Sequence, residues 1–335
     1  MRFLSKGNIM KLTALVAGPA LALLAASAPG ASAAAVTTFD VDGAMFLFQT
    51  GIDIKGDVFG FWVDQSSVRH GYVRMKDGTL TKFDAPHAVD TSASGADASG
   101  NLVGDFVDGN LHKTRFYLRK IDGSFTVFDV AGNVHVTATD PHGGTVGYEP
   151  GHDSFLRKKT GKVKMFGAPN GSDTEAVAVI SDGTVAGSFA PSQFPPVSSG
   201  FIRHPDKSFT VFDVAGADLT QVMGMNADGI VAGYYVVGQA HGFLRTPDGA
   251  IAPFDPSGSH LTQPTAISAK GLVAGYYKDA DDVHHGFIRG VDGKFTIFDV
   301  AGAANTEPAT INARGTVAGT WTDADGHTHG FVRTP

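Results

Sequence analysis

The chain has 335 residues, with 26 Lys and Arg against 33 Asp and Glu, 24 Phe and no cysteine. Without cysteine there are no disulfide staples, no thiol nucleophile and no thiolate metal site. The acidic balance argues against a phosphate-tracking surface, because nucleic-acid binders gather Lys and Arg on one face.

The N-terminus reads as a cleaved secretory signal. Arg2, Lys6 and Lys11 precede an apolar run from Leu12 to Ala26, and Ala31-Ser32-Ala33 supplies the small-x-small cleavage pattern. The run is too short to span a bilayer, and Gly18-Pro19 interrupts it. Residues 1–33 are therefore assigned to the signal and residues 34–335 to one folded domain. Losing three positive charges takes the formal net charge from −7 to −10. The expected location is secreted or periplasmic, with no membrane span in the mature chain.

From there a unit recurs seven times, which is the mark of a repeat array. Its first landmark is a Phe-Asp strand at Phe39-Asp40, Phe83-Asp84, Phe128-Asp129, Phe212-Asp213, Phe254-Asp255 and Phe298-Asp299, with Phe166-Gly167 as a degenerate copy. The second is a Val-Ala-Gly-type strand ending its small-residue run at Gly60, Gly104, Gly147, Gly187, Gly233, Gly275 or Gly319. Glycine there suits close packing or marks a bulge. The third is a Gly-Phe-aliphatic-Arg strand closing on Arg74, Arg119, Arg157, Arg203, Arg245, Arg289 and Arg333. Asp77-Gly78, Asp122-Gly123, Asp248-Gly249 and Asp292-Gly293 supply the tight turns that lead back to Phe-Asp.

The strands are short, aromatic and β-branched, and no stretch beyond the signal carries a helical period. Segments such as Phe125-Thr-Val-Phe-Asp-Val130 are apolar on both faces, so each sheet is covered twice. About four strands per unit, packed face to face, predict an all-β, seven-bladed propeller. Residues 36–41 are a lone Phe-Asp strand and residues 330–333 a lone Gly-Phe-Val-Arg strand. Pairing them closes the ring, whereas an open solenoid needs capping units that the sequence lacks.

His-Gly-Phe at His241, His285 and His329, His-Gly-Tyr at His70, and the Val-Ala-Gly, Asp-Gly and Phe-Asp runs together resemble the bacterial extracellular repeats of the HAF family, named for a His-Ala-Phe triplet. The likeness covers essentially all of residues 34–335. Glycine replaces the alanine, and Thr114-Arg115-Phe116, Asp153-Ser154-Phe155 and Ser199-Gly200-Phe201 lack the histidine. The resemblance implies export and a repeated β fold, and brings no activity or cofactor.

A residue needed seven times is read as structural. The repeat arginines are expected to pair with the Phe-Asp aspartates, Asp84, Asp129, Asp213, Asp255 and Asp299, and to hold the blades in register. Ligand contact is expected from irregular loops: Asp279, Asp281, His284 and His285; Asp323, Asp325, His327 and His329; and Phe194 in the proline-rich insertion at residues 190–196. Asp323–Gly326 resembles part of a calcium loop but lacks the remaining ligands, so no metal and no cofactor are assigned. Linear nucleophile, zinc and phosphate-loop motifs are absent. The expected function is a non-catalytic binding scaffold for an extracellular or periplasmic glycan or protein. A propeller lyase or hydrolase with His and Asp converging on the channel is the alternative, and a self-associating surface protein is the third reading.

Overall fold

The second strand of each unit explains its neighbours. In Val231–Val237, Val231 and Ala232 are fully buried and Gly233 leaves room for a main-chain carbonyl: a Cβ at Gly233 would lie 2.1 Å from the Gln221 oxygen. That carbonyl is brought close by a β-bulge in the paired first strand, Leu219–Met225, where the register slips between Val222 and Gly224. The same slip recurs in the first strands of five other units, at Gln49/Gly51, Val136/Ala138, Ala176/Ala178, Pro264/Ala266 and Pro308/Thr310. The facing glycines Gly60, Gly147, Gly187, Gly275 and Gly319 each meet a first-strand carbonyl at 1.9–2.3 Å from where a Cβ would stand. The landmark glycine is thus the partner of a bulge.

The computed structural model describes residues 34–130, 132–191 and 197–335. They form twenty-nine strands and no helix. The strands make seven antiparallel sheets, at residues 46–83, 88–128, 135–166, 171–212, 219–254, 261–298 and 305–334, here called blades 1 to 7. Blade 2 has its first strand split into Ala88–Thr91 and Gly95–Ala96. Blade 7 takes Ala35–Phe39 as its outer strand, with Phe39 opposite Gly330 and Val36 opposite Arg333. First strands of neighbouring blades touch all the way round, and blade 7 touches blade 1, so the ring is closed. Along a first strand such as Leu219–Met225, half-exposed and buried side chains alternate. One row lines the axis and the other packs into the blade junction.

The junctions are held by the repeat arginines, with a partner different from the one the sequence suggests. Each guanidinium lies over the Phe ring of the preceding blade's Phe-Asp strand. The pairs are Arg74 on Phe39, Arg119 on Phe83, Arg157 on Phe128, Arg203 on Phe166, Arg245 on Phe212, Arg289 on Phe254 and Arg333 on Phe298, at 4.1–5.0 Å from the ring centre. Among the described residues none of the seven forms an ion pair with a Phe-Asp aspartate, which corrects the expected Arg–Asp ring. The reason is register. Arg245 stands opposite Ile251, at the far end of the strand pair from Asp255. A half-desolvated cation over an aromatic face contributes about 0.5–2 kcal/mol per contact.

The same Phe ring covers a glycine in its own blade. Phe254 lies where a Gly242 Cβ would stand, 2.4 Å away, and Phe83, Phe212, Phe298 and Phe39 do the same to Gly71, Gly200, Gly286 and Gly330. This is why His-Gly-Phe replaces the alanine triplet: a methyl group would collide with the cross-strand ring. In blade 2 the equivalent triplet is Arg115-Phe116-Tyr117, because Phe116 stands opposite Phe128 as Gly71 stands opposite Phe83. The frame read from the sequence was one residue early there.

Candidate functional site

Several loop residues singled out in the sequence are bound up in repeated clamps. His285 directs Nδ1 at Asp299 (3.0 Å) and Nε2 at Asp279 (3.1 Å), with Tyr277 against the ring. His329 directs Nδ1 at Asp40 (2.6 Å) and Nε2 at Asp323 (3.4 Å), with Trp321 stacked at 4.4 Å. Blade 1 repeats this with His70, Asp84, Asp64 and Trp62, and blade 5 keeps His241, Asp255 and Tyr235. In blade 2, Arg115 takes the histidine's place between Asp129 (3.0 Å) and Asp108 (2.9 Å). The Phe-Asp aspartates therefore serve the histidine position rather than the repeat arginine.

The remaining loop candidates divide. Asp281 lies on an exposed turn, its backbone N–H donating to Asp279. Asp323, Asp325 and His327 bring ligand atoms within 4.8 Å of one another. Asp323, however, already accepts the backbone N–H groups of Asp325 and His327, and these bonds hold its carboxyl down at about 2. Phe194 lies outside the described residues, as does the segment 1–33.

A histidine flanked by acceptors on both ring nitrogens must donate from both, which favours the imidazolium. For His285 and His329 burial pulls the pKa down, but the paired carboxylates outweigh it and the net shift is upward. A raised folded pKa means the stabilisation is complete below the ordinary histidine value of about 6.5 and is lost as pH climbs through the folded value. The melting temperature should therefore fall by a few degrees between about pH 6 and pH 8.5, an estimate for partly exposed pairs. His285→Gln/His329→Gln should flatten that slope. An equal slope in the variant, followed by circular dichroism, would refute the assignment.

The residues that differ from blade to blade lie closer to the axis, at the same end of the strands. On the first strand the position before the bulge is Phe48, Ser92, His135, Glu175, Gln221, Gln263 or Glu307. The residue paired with it on the second strand is Phe61, Asp105, Tyr148, Ser188, Tyr234, Tyr276 or Thr320. These form a collar at one mouth of the ring, and each junction along it uses other chemistry. Arg69 Nε meets Asp90 at 2.6 Å between blades 1 and 2, and His135 Nδ1 stands 3.5 Å from Asp105 between blades 2 and 3. Ser198 donates to Gln221 at 3.2 Å between blades 4 and 5, and His284 Nδ1 meets Glu307 between blades 6 and 7. Tyr276 stacks on His284 and its hydroxyl donates to Gln263 at 3.1 Å.

The collar is electrostatically tuned. Burial, then the Glu307 charge, pushes the Tyr276 hydroxyl up to about 12, keeping it a donor. Burial and nearby Asp173 raise the Glu175 carboxyl. The Asp105 carboxylate, 3.5 Å from Nδ1, lifts the His135 imidazole against the cost of burial. Asp105 is 2% exposed, and its Oδ2 has no hydrogen-bond partner. Phe46 and Phe48 are exposed on the axis-facing row of blade 1. Of this collar the sequence places only His284 among the ligand contacts, while Phe61, Tyr234 and Tyr276 read there as aromatics more suited to core packing than to stacking a sugar. Recurrence, the signal that revealed every framework residue, is silent on positions that vary.

A closed ring of seven four-stranded sheets defines the class: a seven-bladed β-propeller. No family model and no curated protein matches the chain. Solved structures do. A streptogramin B lyase aligns over 89% of this chain and 97% of its own with a TM-score of 0.61 at 13% identity. Virginiamycin B lyase from Staphylococcus aureus covers 90% and 99% with a TM-score of 0.62 at 14% identity. A puromycin hydrolase covers 86% of this chain and 52% of its own, with a TM-score of 0.55 at 12% identity. At such identities the likeness is one of fold.

Proposed function

We propose that the protein is an exported, HAF-type repeat propeller that recognises a glycan at the collar mouth of its ring. The observation that carries this reading is the contrast between the two sets of residues. The Arg–Phe stacks, the bulges and the facing glycines of the framework recur, whereas the collar positions run from Phe48 through His135 and Glu175 to Gln263 and Glu307. Side-chain amides and carboxylates beside exposed aromatic faces suit a sugar, which presents hydroxyls on its edge and C–H groups on its face. Export rests on the basic residues, apolar run and Ala-Ser-Ala site of the first 33 residues.

The test is a glycan and cell-wall array, followed by titration of the best ligand. Glu175→Ala/Gln221→Ala should weaken binding by about tenfold or more, as loss of hydrogen bonds to a charged and a neutral acceptor implies, while the protein stays folded by circular dichroism at the temperature of the titration. Binding that survives both changes, or an array with no hit, overturns the reading.

A second reading is a lyase. The cross-blade pair His284–Glu307, with Tyr276 against the imidazole, supports it, together with a fold shared with streptogramin lyases. Turnover of a streptogramin B, abolished by His284→Ala, would favour this reading over recognition.

A further inference from the structure

At the end of the strands opposite the collar, a groove of about 350 Å³ opens between blades 3 and 4. We propose that it binds a phosphate-bearing ligand, independently of whatever the collar recognises. The groove breaks the charge balance of an acidic protein. The third-to-fourth-strand hairpin of blade 3 contributes Lys158, Lys159 and Lys162, and Lys164 follows on the outer strand. The equivalent turns of the other blades carry an aspartate, at Asp77, Asp122, Asp206, Asp248 and Asp292, where blade 3 has Thr160. Arg157 and Arg203 stand at the inner wall, their faces covered by Phe128 and Phe166.

Across the groove stands Lys207. Its φ is +77°, in a hairpin where blades 1, 2, 3, 5 and 6 have glycine at +83° to +96°. A lysine there accepts backbone strain that glycine avoids. Strain of this kind, kept where a harmless residue is available, is a pointer to use. Lys207 and Lys162 are also the two charges that most depress the Lys164 ammonium, so the cluster converges.

The groove does not neutralise itself. Its two carboxylates are occupied by their own turns: Asp140 accepts the N–H groups of His142 and Gly144, and Asp182 accepts that of Thr184. Among the described residues, none of the five lysines forms an ion pair. Ammonium groups that converge unpaired on a concave site attract a compact multivalent anion, and tetrahedral phosphate offers several acceptors to point-charge donors of this kind. His142, bonded to Ser181 at 3.0 Å across the junction, adds a hydrogen-bonding side chain at the rim.

Inorganic pyrophosphate, glucose 6-phosphate, citrate and sulfate are the probes, titrated calorimetrically at low ionic strength into the folded protein. Pyrophosphate and the sugar phosphate should bind, weakening as salt is added, with citrate and sulfate at least tenfold weaker. Lys162→Ala/Lys164→Ala should lower pyrophosphate affinity tenfold or more. Lys207→Gly should raise the melting temperature while weakening binding severalfold, a combination that a purely structural lysine would not give. No binding at millimolar pyrophosphate, equal affinity for citrate, or binding indifferent to both variants would overturn the proposal. The collar change Glu175→Ala/Gln221→Ala should leave pyrophosphate affinity unchanged; a parallel loss would refute the independence of the two sites.

Discussion

Gly233→Ala is expected to be among the most damaging single substitutions in the chain. The new methyl carbon would stand 2.1 Å from the Gln221 carbonyl oxygen and 2.8 Å from the Phe243 ring, where both neighbours are held by a junction. The carbonyl cannot withdraw cheaply, because the bulge that positions it also aims the first strand's side chains at the next blade. Thr50, Thr137 and Thr265, each at the extra residue of such a bulge, donate to the carbonyls of Ala93, Ala176 and Pro308 in the following blade. In blade 5 the extra residue is Met223, and the strand is tied instead to blade 4, where Ser188 Oγ accepts the Val222 N–H at 2.8 Å, so relief there too moves two blades. Overpacking of this severity costs about 3 kcal/mol or more, and a drop of roughly 5–10 °C in melting temperature follows. Gly216→Ala is the control. Its φ is +77° with nothing within 4 Å, so it adds only backbone strain, about 1–2 kcal/mol. If Gly233→Ala melts no lower than Gly216→Ala, the bulge–glycine account fails.

How far such features can be read from sequence depends on whether they recur. Blade count, strand content and ring closure were legible, since the Phe-Asp, Val-Ala-Gly and Phe-x-Arg landmarks, with their degenerate copies, each return seven times and the two end strands lack partners in sequence. The partner of the arginine was not. Arg245 precedes the aspartate of Phe254-Asp255 by ten positions in the same unit, and charge complementarity suggests that pair. The actual partner, Phe212, stands one whole unit before Phe254, in the preceding blade, and a repeat pattern cannot say whether a contact closes within a copy or between copies. The collar lay deeper still. His135, Glu175, Gln221 and Glu307 are unremarkable in sequence, far apart, and meet only because seven first strands are gathered about one axis. His284 was found for its neighbour His285, which serves the framework, rather than for Glu307 in the next blade.

Ring closure carries the second large expected effect. Phe39 comes from the N-terminal strand, yet its ring does the work of the Phe rings that other blades take from the next hairpin. It covers Gly330 in blade 7 and lies under Arg74 of blade 1 at 4.9 Å, and Asp40 beside it holds His329. Phe39→Ala thus empties the space over a glycine, uncovers a half-buried guanidinium and loosens the edge strand at the place where the ring has no covalent continuity. For a half-buried ring the loss is about 3 kcal/mol, the lower end of the range for Phe truncation. Phe212→Ala removes the same contacts, to Gly200 and Arg245, inside a blade whose strands are continuous. The two variants should lose similar equilibrium stability if packing alone decides. They should differ in unfolding rate, with Phe39→Ala the faster, because an outer strand tethered only by side chains and one ladder can detach before the remaining blades open. Matched unfolding rates in guanidinium would mean that the ring does not open at this seam first.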